Sequence, residues 1–176
     1  MNRFIIYDRL GKKIGYEHRK TVHTKGFWHK GIQLNIYYNG KILVQERAEG
    51  CDIAWCLLDQ SLAVQQTKTD NEDDYQSIKR GLLNELGIKL ALLPKLEKVA
   101  GPYKLMKTYY YAPEIVNNEF VSLYRVILEK PIDIKINTKK VKSVSWMETG
   151  KLKKDIIKNP DSYTKTLSFW AKKNLI

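Results

Sequence analysis

Residues 66–88 constrain this chain most, because every local signal there agrees on a loop entering one helix. Asp70 is placed to cap the helix, with Asp73 three residues on in a capping-box relation. Glu72, Asp73 and Asp74 put negative charge at the positive end of the helix dipole. Tyr75, Ile78, Leu82 and Leu86 recur at helical spacing and give one face to a core. Gly87 then ends the helix in the left-handed conformation that favours glycine.

Around that helix the chain alternates strands and turns. Residues 4–7 form a short β run, 8–11 its turn, and Ile14, Gly15 and Tyr16 a return strand. Residues 31–38 alternate apolar and polar side chains, as a half-buried strand does. Asn39-Gly40 is a hairpin signal, and 41–47 is the returning strand. Residues 56–64 read as a short strand with polar interruptions, and 89–96 as an apolar and basic run broken at Pro94. Gly101-Pro102 and Asn117-Asn118 read as turns, with a strand over 106–112 that holds Tyr109, Tyr110 and Tyr111. Strands over 120–128 and 142–147 precede a helix over 151–158 that ends at Pro160. Asp161 or Ser162 caps a final helix, where Tyr163, Leu167 and Trp170 recur at helical spacing. The 176 residues show no repeat or linker and suit a single α/β domain, 1–176.

The formal net charge of +12 favours anionic partners: nucleotides, other diphosphates or RNA. A lysine-rich, solvated surface accounts for the same number. No apolar run approaches the ~20 residues that span a bilayer. The apolar run over 1–10 lacks a signal-peptide core and cleavage site, so the chain reads as cytoplasmic, with no membrane partner. Cys51 and Cys56 have no second Cys/His pair at finger spacing and read as reduced thiols.

Residues 66–88 also resemble the Nudix box. That pattern is a Gly, five residues, a Glu, seven residues, then Arg-Glu-apolar-x-Glu-Glu-x-Gly-apolar. Aligned on Arg80, the chain keeps Glu72, Arg80, Leu82, Glu85, Gly87 and Ile88, with Gln66, Gly81 and Asn84 at departing positions. A second, independent likeness begins at the Asp8-x-x-Gly11 turn and continues through Arg19, Val22-His23 and Gly26-Phe27-Trp28-His29. It is similar to the Nudix subgroup related to isopentenyl-diphosphate isomerase. Together the likenesses cover 4–171 and imply a Nudix-type α/β/α sandwich with a mixed β-sheet.

The resemblance also implies a chemistry: hydrolysis of nucleoside diphosphate-linked compounds with Mg²⁺ or Mn²⁺ held by carboxylates. Glu72, Arg80 and Gly87 fall on the structural part of the box, and Glu85 on its metal face. Positions 81, 84 and 85 share that face, so Gly81 and Asn84 leave Glu85 as its lone carboxylate. Glu119 is the implied partner of Glu85, in metal binding or acid–base chemistry. Arg47, closing a Gln-x-Arg run, is placed to grip a phosphate, and His29 and Trp55 to contact substrate. Where isomerases carry a catalytic Cys and a metal-binding His, this chain reads Leu58-Asp59-Gln60-Ser61, which does not suit isomerisation.

Three readings follow. The first is a Nudix-like protein with weakened or lost catalysis and a retained pocket for a nucleotide or another diphosphate. The second is an active hydrolase whose rearranged metal site uses Glu85 and Glu119. The third is a basic RNA- or protein-binding module on the same scaffold.

Overall fold

β1 (Phe4–Tyr7) and β2 (Lys13–Glu17) form an antiparallel hairpin, whose turn is held by Asp8 accepting from the Leu10 and Lys12 amides. The structure, a computed structural model, describes residues 3–51, 54–71, 73–109 and 112–176, and only the backbone of residues 112 and 113. Glu72, Tyr110 and Tyr111 lie outside the described residues. A short helix, α1 (Arg19–Lys25), follows. It buries Val22 and His23 against the hairpin.

β3 (His29–Tyr38) and β4 (Lys41–Arg47) are joined by Asn39 and Gly40, both at positive φ, the geometry that makes Asn-Gly a tight hairpin turn. Beyond Ile42 the two strands part. β4 pairs antiparallel with β5 (Leu58–Asp59), and β3 with β6 (Leu62–Gln65).

The predicted helix is present but starts later than Asp70, and its last turn is wound as a π-helix. Residues 68–70 form a 3₁₀ turn, α2 spans Asp74–Gly81, and a π-helical turn over 82–86 ends at Gly87. Asp73, not Asp70, is the N-cap of α2, accepting from the Tyr75 amide at 2.7 Å. Asp70 instead sits in a capping box with Thr67, one turn earlier.

β7 (Glu97–Tyr109) and β8 (Ala112–Ile127) are longer than the turn residues suggested. Gly101-Pro102 lies inside β7 at a bulge rather than in a turn. Gly101 holds φ +96, and a β-carbon there would stand 2.4 Å from the Val121 carbonyl oxygen, so only glycine lets the strands approach. Asn117 and Asn118 also lie within a strand, opposite Lys107 and Met106. There cross-strand pairing and burial override their turn preference.

β9 (Val141–Glu148) joins the far edge of β4 and leads into α3 (Thr149–Lys158). α4 (Lys165–Lys172) is capped by Thr164, which accepts from the Leu167 amide, while 160–162 form a 3₁₀ turn. Asp161 and Ser162 therefore precede the cap.

β3 runs parallel to β8 and the remaining strand pairs are antiparallel, giving a mixed seven-stranded sheet. Ile32, Leu34 and Ile36 face one way and pack with Ile78, Leu82 and Leu86 of the central helix. Val121, Leu123 and Ile42 face the other way and pack with Leu152, Ile156, Leu167 and Trp170 of the terminal helices. Helices thus cover both faces. No helix among the described residues is long and apolar enough to cross a membrane.

Candidate functional site

Strand alternation builds the floor of a cleft of about 380 Å³. On the α4 side of the sheet, the odd positions of β8 pass from apolar (Val121, Leu123) to polar (Asn117, Glu119), and Gln33 of β3 lies beside Leu123. Gln33, Asn117 and Glu119, all buried, line the cleft. Such a run of buried polar groups is costly unless paired, so it marks a site rather than a core.

Glu119 is 2% exposed, and each of its oxygens is engaged. Lys107, reaching across from β7, donates to Oε2 and also to Thr166 Oγ1 at 2.9 Å. Gln65 donates to Oε1 at 3.4 Å, and His29 Nε2 stands 3.6 Å from it. Burial alone would raise the Glu119 carboxyl, but the Lys107 charge and these hydrogen bonds outweigh it and hold the group well below the usual carboxylate range. A similar pairing occurs at Asp59, which accepts from Thr164 Oγ1 at 2.7 Å and from Arg47 Nη1 at 3.4 Å.

Arg80 anchors the other wall. Its Nε and Nη2 grip the two oxygens of Asp70 at 2.8 Å each, and Nη2 also donates to the Gln65 carbonyl at 2.8 Å. Thr67 and Ser77 donate to the same carboxylate. Burial would raise its pKa, but the Arg80 and Thr67 hydrogen bonds outweigh that and hold it below the usual carboxylate range. A bidentate guanidinium–carboxylate pair ties loop to helix, and Asp70 is its carboxylate.

The helix face expected to carry metal ligands is filled in a different way. A β-carbon on Gly81 would stand 2.5 Å from Val64 Cγ1 and 3.0 Å from Leu62 Cδ2, so apolar side chains of β6 occupy that direction. Asn84 is exposed. Glu85 lines the cleft, and burial raises its pKa although the charges of Lys140 and Arg47 oppose the rise. A hard divalent cation needs several anionic oxygens at once. Among the described residues, no three His, Cys, Asp or Glu side chains gather to supply them. The described donor set does not fit a divalent-metal cluster.

The lining is strongly basic: six cations (Arg19, Arg47, Arg80, Lys107, Lys140, Lys165) against three carboxylates (Asp59, Glu85, Glu119). Of the residues singled out in the sequence, Arg47, Arg80, Glu85 and Glu119 meet on this cleft. His29 is fully buried behind Glu119, with Nδ1 3.1 Å from the Phe27 carbonyl. Trp55 is outside the lining and 51% exposed, flanked by Ala54 and Cys56 at positive φ. Gly87 sits at the helix end, where it packs on Lys135. Sequence motifs mark none of Lys107, Lys140, Asp59, Gln33 or Asn117 as lining this cleft. The available signal was polar residues two apart inside otherwise apolar strands. Cys51 and Cys56 are free thiols.

This architecture is that of the Nudix fold, an α/β/α sandwich built on a mixed sheet. DR0079 from Deinococcus radiodurans superposes with a TM-score of 0.75 at 13% identity, over 97% of this chain and 98% of its own. A NUDIX hydrolase from Alicyclobacillus acidocaldarius gives 0.62 at 11% identity, over 82% and 89%. The E. coli dihydroneopterin triphosphate pyrophosphohydrolase gives 0.58 at 12%, over 85% and 97%. No protein-family model and no curated protein sequence matches the chain. At such identities the likeness carries the fold alone.

Proposed function

We propose that this chain binds a small diphosphate-bearing anion, a nucleotide or another diphosphate, and that its pyrophosphohydrolase activity is weakened or lost. The observation that carries this reading is the lining of the cleft, where six cations meet three carboxylates and two of the three are ion-paired. An opposite charge at contact distance contributes roughly 1 to 4 kcal/mol, depending on solvent exposure. The solved neighbours that act on such compounds, a dihydroneopterin triphosphate pyrophosphohydrolase and an Ap4A hydrolase from C. elegans, support the ligand class. In this reading Arg47 contacts phosphate, Trp55, next in sequence to the cleft-lining Ala54, offers a ring to the ligand, and His29 backs Glu119. The box is degenerate at Gly81 and Asn84, within a chain similar to the isopentenyl-diphosphate isomerase-like subgroup.

A second reading, an active hydrolase using Mg²⁺ or Mn²⁺ at Glu85 and Glu119, is favoured by both carboxylates lining one cleft. A screen of nucleoside diphosphate-linked compounds with Mg²⁺ and Mn²⁺ separates the two. No release of phosphate or nucleotide supports the first; turnover abolished by Glu85→Gln establishes the second. The charge of +12 also suits RNA, and an affinity that barely changes with salt would exclude electrostatic binding of that kind.

A further inference from the structure

We infer that the cleft takes its diphosphate free of divalent metal, so that Mg²⁺ weakens binding; this rests on the anion-binding reading above. The starting point is that the carboxylates a bridging metal would need are already committed. Glu119 is bonded to Lys107, and Asp59 to Arg47 and Thr164. Glu85 stands alone on its helix face, within the field of Lys140 and Arg47. The space beside it that a second helix carboxylate would fill is taken by Val64, 2.5 Å from a β-carbon on Gly81. A metal-bridged diphosphate would meet one weakly anionic group and several fixed cations.

A metal-free diphosphate meets the reverse. Lys140 and Lys165 are exposed at the rim and have no carboxylate within 4.0 Å among the described residues. Lys165 is steadied by donating to the Thr108 carbonyl. The arginine of the Arg47–Asp59 pair and these two lysines present positive charge from β4, the 137–140 turn and the start of α4. Chelation by Mg²⁺ would cancel part of the phosphate charge they recognise and add tightly held water, which this ion surrenders reluctantly.

Calorimetric titration with inorganic pyrophosphate, at fixed ionic strength, tests the inference in EDTA and in excess Mg²⁺. The expected result is binding weakened roughly tenfold or more by Mg²⁺, about the worth of one or two exposed charge contacts. Lys140→Ala with Lys165→Ala should weaken metal-free binding and shrink the Mg²⁺ effect while leaving the circular dichroism spectrum unchanged. Equal or tighter binding in Mg²⁺ would overturn the inference and leave the anion pocket standing. No binding in either condition would overturn both.

Discussion

Replacing Lys107 by Met isolates the interaction on which the cleft floor depends. The substitution keeps much of the side-chain volume but leaves Glu119, 2% exposed, without its ion-pair partner. Breaking a buried pair on one side costs about 3–5 kcal/mol, because the surviving charge stays desolvated. Gln65 and His29 remain at 3.4 and 3.6 Å, which places the expected loss at the lower end, about 3 kcal/mol. For a chain of this length that corresponds to a fall in Tm of roughly 6–12 °C. The loss should also depend on pH. In the parent, Glu119 is held below its unfolded value, so its contribution is present above the ordinary glutamate range and is lost only at very low pH. In Lys107→Met, burial dominates and lifts the carboxyl above its unfolded value. The deficit is then largest near neutral pH and shrinks as pH falls and Glu119 takes up a proton. Thermal melts at pH 7.5 and pH 4.5 measure this, and Lys107→Met with Glu119→Met should recover most of the loss. A Tm within about 2 °C of the parent, or a deficit independent of pH, would refute the account of the floor.

Three further outcomes follow from the same geometry. Asp70→Asn removes the anion shared by Arg80, Thr67 and Ser77 and should cost about 2–3 kcal/mol in denaturant unfolding at pH 7. Because the Asp70 pKa is depressed, that difference should fade as pH drops through its folded value. Gly101→Ala forces a β-carbon against the Val121 carbonyl at φ +96 and should lose about 2–4 kcal/mol by the same measurement. Gly81→Glu alone should destabilise by about 1–3 kcal/mol through overpacking on Val64. Combined with Val64→Gly and Asn84→Glu, it should create Mn²⁺ binding, detectable by electron paramagnetic resonance, that the parent lacks.

Much of the fold was legible from local chemistry. The Asn39-Gly40 turn, the stripe of Ile78, Leu82 and Leu86, and the Gly87 stop are decided by neighbours within a few residues, and each occupies its expected place, while Tyr75, expected on the same stripe, is 41% exposed. The errors fall where distant contacts decide. Asn117 and Asn118 look like a turn until Asn118 is seen donating to the Gly26 carbonyl at 2.7 Å, which makes a strand the better outcome. Asp70 looks like a helix cap, yet its partner is Arg80, ten residues on. The site was legible only in part. Arg47, Glu85 and Glu119 could be named from a family pattern, whereas Lys107 meets Glu119 only across paired strands. Val64 reads as an ordinary core residue until it is found in the space beside Gly81.

A retained diphosphate pocket without efficient hydrolysis should hold ADP and leave it intact. Equilibrium dialysis with ADP in Mg²⁺-free buffer and in Mg²⁺, followed by chromatography of both chambers, tests it in one measurement. ADP should be enriched beside the protein in Mg²⁺-free buffer, less so in Mg²⁺, and recovered intact from both. Equal ADP in both chambers without Mg²⁺, or conversion to AMP and phosphate that disappears in Glu85→Gln, would contradict a retained pocket without efficient hydrolysis.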